Sequence, residues 1–247
     1  MTTTILFLAW QDKTSRRWYP VGKLEADVEN SFYKFQYISG AMSAQKEAKF
    51  LPLADFPDFF STYESNDLFP LFKNRVLSRG RPDFPEYLRQ LDLNSSATAP
   101  EILAAGGGDR ATDTLEVFPK LTKNSDGQFC CKFFLHGWRH INSEALEKLK
   151  TLKEGDELRL SLELTNPVTG VALQIHTCDY DMIGWAPRYL VDDILGCLSQ
   201  SSRGEYKLKV LKVNPPPAPT KQRYLIEMVG VWPKHEPMSQ GYFIPIK

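Results

Sequence analysis

The chain has 247 residues, 42% hydrophobic and 24% charged, with 30 Lys plus Arg against 30 Asp plus Glu. A net charge of zero excludes a global basic field for capturing nucleic acid, so any such capture must come from a local patch. The length accommodates one large globular domain or two modest ones, and no apolar run approaches the ~20 residues a membrane helix needs.

The opening TTTILFLAWQD is apolar only from Ile5 to Trp10 and has no basic leader, so it is expected to be a first strand rather than a signal peptide. Two more strand-like runs follow, Trp18 to Glu25 and Phe32 to Ile38, the second with period-two alternation. Gly22 interrupts its run and marks a turn or bulge. In FLPLADFPDFF, Pro52 and Pro57 exclude a long helix, and the aromatic side chains are expected to fold back onto the sheet. Two helices come next. Asp67 is placed to cap the first, with Pro70 in its opening turn, and Asp83 to cap Pro85 to Leu91.

NSSATAP, residues 94 to 100, has the composition of a linker. A short helix from Pro100 to Ala105 is expected to end at the Gly106-Gly107-Gly108 triplet. That triplet lacks the Gly-Lys-Ser ending of a phosphate-binding loop and reads as a helix C-cap. The domains are therefore expected at 1–94 (sheet and helices), 95–113 (linker and short helix) and 114–247.

The last part is dominated by strands: 114–118, 128–135, 157–164, 171–177, 182–185, 205–213 and 222–231. Helices are expected at 143–149 and 187–198. In LRLSLEL, Leu158, Leu160, Leu162 and Leu164 share one face, which ties the register to burial of that face. Many short strands with tight turns predict a small β-barrel. The fold class is thus α+β, mostly β, with a barrel preceded by a small antiparallel sheet with helices.

Chemistry-bearing motifs are sparse. Of the four Cys, only Cys130 and Cys131 are close, and adjacent Cys form neither a redox pair nor a zinc site. Scattered thiols fit a cytoplasmic protein. The four His show no metal spacing, Asp179 and Asp181 flank Tyr180 in a hairpin-like turn, and no nucleophile–base arrangement stands out. The expectation is a protein with no cofactor, no metal and no catalytic site.

The order HGWRH (136–140), then LKEGDELRLSLELTNPVTGVALQI, then MIGWAPRYLVDDI resembles the HIRAN domain, over roughly Thr114 to Trp232. More loosely, VGKLEAD, FYKFQYISG and LFPLFKNRVLSRGRPDFPEYLRQL resemble the small N-terminal sub-domain of HipA-like kinases, with nothing resembling the kinase body. The HIRAN resemblance implies nucleic-acid binding, in one helicase-borne member through the free 3′ end of a single strand. The family's Arg falls on Arg139, a helicase aromatic on His140, and the family's Asn on Asn166. Its base-stacking aromatic and its Asp are replaced by Val168 and Thr169. Val cannot stack, and a bond to neutral Thr is roughly half as strong as one to a carboxylate.

Single-strand binders combine cations with flat rings. Trp138, His140 and Trp185 are candidate platforms, with Trp185 alternatively plugging a barrel end. Arg139 and Arg188 offer forked bonds to phosphate, or structural ion pairs. Arg188 follows Pro187 at a helix start, where it either joins a phosphate seat or pairs with Asp192. Six basic residues and one acid lie between Arg203 and Arg223. Lys207, Lys209 and Lys212 there either hold phosphates or protect an edge strand. The implied partner is nucleic acid, single-stranded DNA first, with no membrane. The alternative is a protein-interaction module that regulates a separate kinase or repair complex, through an apolar patch in Phe50 to Phe72.

Overall fold

The computed structural model describes residues 3–198, 206–232 and 234–246. Its packing divides into two units, residues up to 120 with those from 238 onward, and residues 121–237. No helix among the described residues is long and apolar enough to cross a membrane.

The first unit is built on a five-stranded antiparallel sheet. It comprises β1 (Thr4–Gln11), β2 (Trp18–Asp27), β3 (Phe32–Tyr37), β4 (Thr62–Ser65) and β5 (Leu115–Pro119), in the order β4-β3-β2-β1-β5. The apolar run of β1 is explained by cover on both faces. Leu6 and Leu8 enter the main core, while Phe7 packs on Phe118 and on Phe243 of the C-terminal segment, at 5.7 and 4.7 Å. The register slips between Leu8 and Ala9, beside Gly22, as the glycine implied. The ring of Phe35 lies 2.4 Å from where a Cβ on Gly22 would stand.

The aromatic residues after Phe50 do fold back. Phe56 stacks on Phe35 at 3.8 Å, and Phe50 and Phe59 pack on Tyr37. The Tyr37 hydroxyl donates to the Phe56 carbonyl and accepts the Leu53 amide, both at 2.7 Å. Burial pushes its pKa up to about 12.

The helices differ from expectation in three ways. α1 (Ser39–Ala48) is additional. Its buried face is Gly40, Ala41 and Ala44, too small to leave an apolar stripe in the sequence. Gly40 cannot carry a Cβ there, since it would lie 1.9 Å from the Pro20 carbonyl oxygen. α2 (Pro70–Lys73) is a single turn capped at Phe69, not Asp67. Asp83 precedes α3 (Phe84–Gln90) but accepts from Arg81 instead of capping the helix.

The stretch read as a linker is structured. Thr98 and Glu101 form a reciprocal capping box at α4 (Ala99–Gly106), whose Ile102 and Leu103 are buried, and Gly107 ends it with a positive φ of 75°. Thr98→Ala is expected to lower stability by about 1 kcal/mol in urea unfolding, because the Glu101 amide loses its acceptor and the Glu101 carboxylate loses the Thr98 hydroxyl. β5 belongs to the first sheet, paired with β1, although the sequence placed residues 114–118 with the second half. Leu115 and Val117 enter the first core, so the division falls at 120/121 rather than 113/114.

The second unit contains β6 (Gln128–Phe134), α5 (Ser143–Thr151), β7 (Glu157–Asn166), β8 (Gly170–Thr177), β9 (Met182–Trp185), α6 (Val191–Leu198), β10 (Lys207–Val213) and β11 (Tyr224–Val231). Its antiparallel sheet has the order β6-β11-β10-β7-β8-β9. This corrects the expected barrel, because the sheet is not closed. Among the described residues its outer strands meet at one bridge, where His136 and Trp185 exchange backbone hydrogen bonds of 2.9 Å. β9 is only four residues long and runs into Pro187 two residues later, which brings no N–H for further pairing.

One row of the inner face runs Cys131, Met228, Leu208, Leu158, Thr177 across five strands, all buried. The Leu stripe of β7 does share a face, but only its first member is fully covered. Leu162 is 36% and Leu164 67% exposed, since β10 pairs with β7 only at Glu157 and Leu158.

Candidate nucleic-acid interface

The stretch from His136 to His140 is a turn built around Gly137, which has a positive φ of 66° and is followed by a 3-10 turn at Trp138–His140. A Cβ on Gly137 would lie 2.4 Å from Cε3 of Trp185, so the turn's backbone rests against the Trp185 ring. Trp138 is half-buried and meets Tyr224 edge-to-face at 5.6 Å. Burial raises the Tyr224 pKa, and the positive charges of Arg223 and Lys150 partly oppose that rise. Lys150 itself pairs with Glu147 at 2.6 Å, and Arg223 Nε donates to the Ala218 carbonyl at 2.8 Å. Arg139 and His140 are exposed, and neither side chain has a hydrogen-bond or ion-pair partner among the described residues.

Asn166 is committed to its own hairpin. Its Oδ1 accepts from the amides of Val168 and Thr169 at 3.0 and 3.1 Å, and from the Thr169 hydroxyl at 3.0 Å. Its Nδ2 donates to Oε2 of Glu163 at 2.9 Å, and the Trp185 indole N–H donates to the same oxygen at 2.8 Å. Asn166 and Trp185 are thus brought together through Glu163, with Thr169 held by Asn166, so an anion occupies the place where the sequence led to a phosphate. The Trp185 and Asn166 bonds hold the Glu163 carboxyl below the usual glutamate range. A group with a depressed folded pKa contributes stability that is full above its unfolded value and lost as pH falls through the folded one. Acidification from ~pH 7 to ~pH 3 is therefore expected to shift the Trp185 indole N–H signal in NMR, a shift absent in Glu163→Gln.

The lysines lie elsewhere on the sheet. Outward-facing Lys132, Glu227, Lys209 and Glu157 form a cross-strand row of alternating charge, and Lys209 Nζ contacts Glu227 at 2.7 Å. That contact raises the Lys209 pKa and offsets its charge. Lys207 is exposed at one end of β10. Lys212, half-buried at the other end and paired in register with Leu225 next to Tyr224, is already engaged. Arg203 and Glu205 of the basic stretch lie outside the described residues.

Arg188 is exposed and also engaged; it opens a 3-10 turn (Arg188–Leu190) ahead of α6, not the α-helix itself. Asp179 and Asp181 sit in the β8–β9 hairpin, with the Thr177 amide donating to the Asp181 carbonyl.

Sequence reasoning missed Glu163 and Tyr224, which no motif marks because they arrive from two separate strands. It also missed a polar ladder on the outer face. There Ser161 Oγ lies 2.8 Å from His176 Nε2, His176 Nδ1 lies 3.2 Å from the Tyr180 carbonyl, and the Arg159 guanidinium sits 4.8 Å from the Tyr180 ring centre. The cross-strand register alone aligns these side chains.

No family model and no curated protein matches the chain. Among solved structures, a protein from Lactobacillus plantarum is similar at a TM-score of 0.34 and 18% identity, over 42% of this chain and 97% of that one. The HIRAN domain of human HLTF is similar at a TM-score of 0.32 and 11% identity, over 45% of this chain and 77% of that one. Likenesses this distant bring no ligand and no activity to the chain. The HipA-like reading of the first half has no counterpart among them.

Proposed function

We propose that this chain is a non-enzymatic accessory protein that holds nucleic acid, single-stranded DNA first, at the His136–His140 turn of its second unit. The observation that carries the reading is the exposed Arg139 and His140, without a side-chain partner among the described residues, beside the edge-to-face pair Trp138 and Tyr224. Cations around flat rings are what a strand of phosphates and bases requires. The resemblance of HGWRH and IGWAPR to the HIRAN pattern points the same way. Lys209 is set aside, since Glu227 already offsets it.

With no net charge to draw in a polyanion, binding rests on a few local contacts. Affinity for a single strand is expected to fall with salt at about 0.7 log units per log unit of salt for each phosphate engaged. Fluorescence anisotropy of a labelled oligothymidylate across a salt series checks this. Absence of binding at low salt to single strands, duplexes and RNA alike overturns it. Trp138→Ala is expected to weaken binding by about 1–3 kcal/mol through loss of one stacked base, read in the same assay.

A further inference from the structure

The sheet of the second unit leaves part of an inner strand uncovered. β10 pairs with β7 only at Glu157 and Leu158. From Arg159 onward β7 has β8 on one side and, among the described residues, no strand on the other. Thr177, opposite Leu158, sends its amide to the Asp181 carbonyl, away from β7, so the backbone groups of Leu158 face β10. By the alternation of an antiparallel strand, those of Leu160 and Leu162 face the same side. No residue from Arg159 to Glu163 makes a backbone hydrogen bond there among the described residues. Pairing with β8 is regular through Glu163 and shifts before Asn166, so the free and regular stretch is Arg159–Glu163.

Proteins commonly blunt such an edge with lysine or proline. This stretch has neither. One face bears Leu160, half-buried, and Leu162, exposed by 36%, and the other bears Arg159, Ser161 and Glu163. Neither Arg159 nor Glu163 makes an ion pair among the described residues. Arg159 lies over the Tyr180 ring, and Glu163 accepts from the neutral side chains of Asn166 and Trp185. The two charges are placed symmetrically about Ser161. Laid antiparallel against itself with Ser161 on a twofold axis, the stretch sets Arg159 opposite Glu163 at both ends and Leu160 opposite Leu162 between them. A register centred on Arg159 or on Glu163 instead opposes like charges, which destabilises a strand pair.

We propose that β7 pairs with β7 of a second copy of this chain, antiparallel about Ser161, joining two sheets into one. Backbone groups of Leu160 and Leu162 supply the hydrogen bonds, their side chains cover each other, and the two Arg159–Glu163 pairs fix the register. Pairing this short buries less than the ~1,200 Å² of a stable complex, so the dimer is reversible. The inference does not rest on nucleic-acid binding by the same unit.

Sedimentation of the full chain from about 1 µM to about 300 µM, the range of weak association, tests it. A monomer–dimer equilibrium is expected, with the amides of Leu160 and Leu162 losing protection from hydrogen exchange on dilution. Arg159→Glu, which sets Glu against Glu163 of the second copy, and Leu162→Lys, at an exposed position, are each expected to weaken the dimer at least tenfold. Glu163→Lys is expected to do the same. Mixing it with Arg159→Glu should restore association, because each end of the mixed pair again joins opposite charges. Four results overturn the proposal: a monomer at every concentration, a dimer that Arg159→Glu leaves unweakened, dilution-sensitive protection elsewhere than at 159–163, or no restoration on mixing when circular dichroism shows both variants folded.

Discussion

Arg139→Ala is expected to weaken single-strand binding by about 10- to 100-fold, because a hydrogen bond to a charged partner contributes about 1.5–3 kcal/mol and each 1.4 kcal/mol is tenfold. The salt dependence should flatten at the same time by about 0.7 log units per log unit, the signature of one lost phosphate contact. Folding should be unaffected, since the guanidinium is exposed and has no protein partner among the described residues. Anisotropy titrations at several salt concentrations read both effects. An unchanged affinity with an unchanged slope removes Arg139 from the site. Repeating the titration with a 3′-blocked strand shows whether the end or the backbone is held. The replacement of the family's aromatic and Asp by Val168 and Thr169 favours the backbone.

Gly184→Ala is expected to destabilise the second unit by about 3 kcal/mol, the upper end of what forced overpacking costs. Gly184 has a φ of 152°, a region L-residues rarely adopt, and an added Cβ would stand 2.6 Å from the His136 carbonyl oxygen. That carbonyl accepts the Trp185 amide in the bridge between the sheet's outer strands. The methyl group has backbone in its way, not a side chain that can turn aside. Urea unfolding followed by tryptophan fluorescence measures the loss. Because the bridge also seats Gly137 against Trp185, the variant is expected to lose oligonucleotide affinity even where it remains folded. An unshifted midpoint with normal binding refutes this account of the bridge.

Both variants lie in stretches quoted for their resemblance to the HIRAN pattern, yet the sequence and the structure explain them differently. HGWRH marked Arg139 because an Arg next to aromatic residues after a strand is a visible signal. The structure adds that the guanidinium is exposed and has no partner among the described residues. IGWAPR marked Trp185 and Arg188, and there the structure reassigns the chemistry. The indole N–H is already spent on Glu163, and Arg188 sits on a 3-10 turn and is engaged. Lys207 and Lys209 were legible as one face of a strand, but the row Lys132–Glu227–Lys209–Glu157 was not. It depends on which strands neighbour β10, and strand order leaves no mark in local pattern.

The sequence by itself determined the antiparallel, mostly β character of the chain, nearly every strand, the C-cap at Gly107 and the shared face of the β7 leucines. These follow from period-two alternation and turn chemistry, which act over a few residues. Only the tertiary structure decided that β5 joins the first sheet, that small residues let α1 lie against it, that the second sheet stays open apart from one bridge, and that Glu163 gathers Trp185 and Asn166. Each of these depends on side chains far apart in the chain meeting in space. Their free energy comes from burial and cross-strand contact, which no local window records.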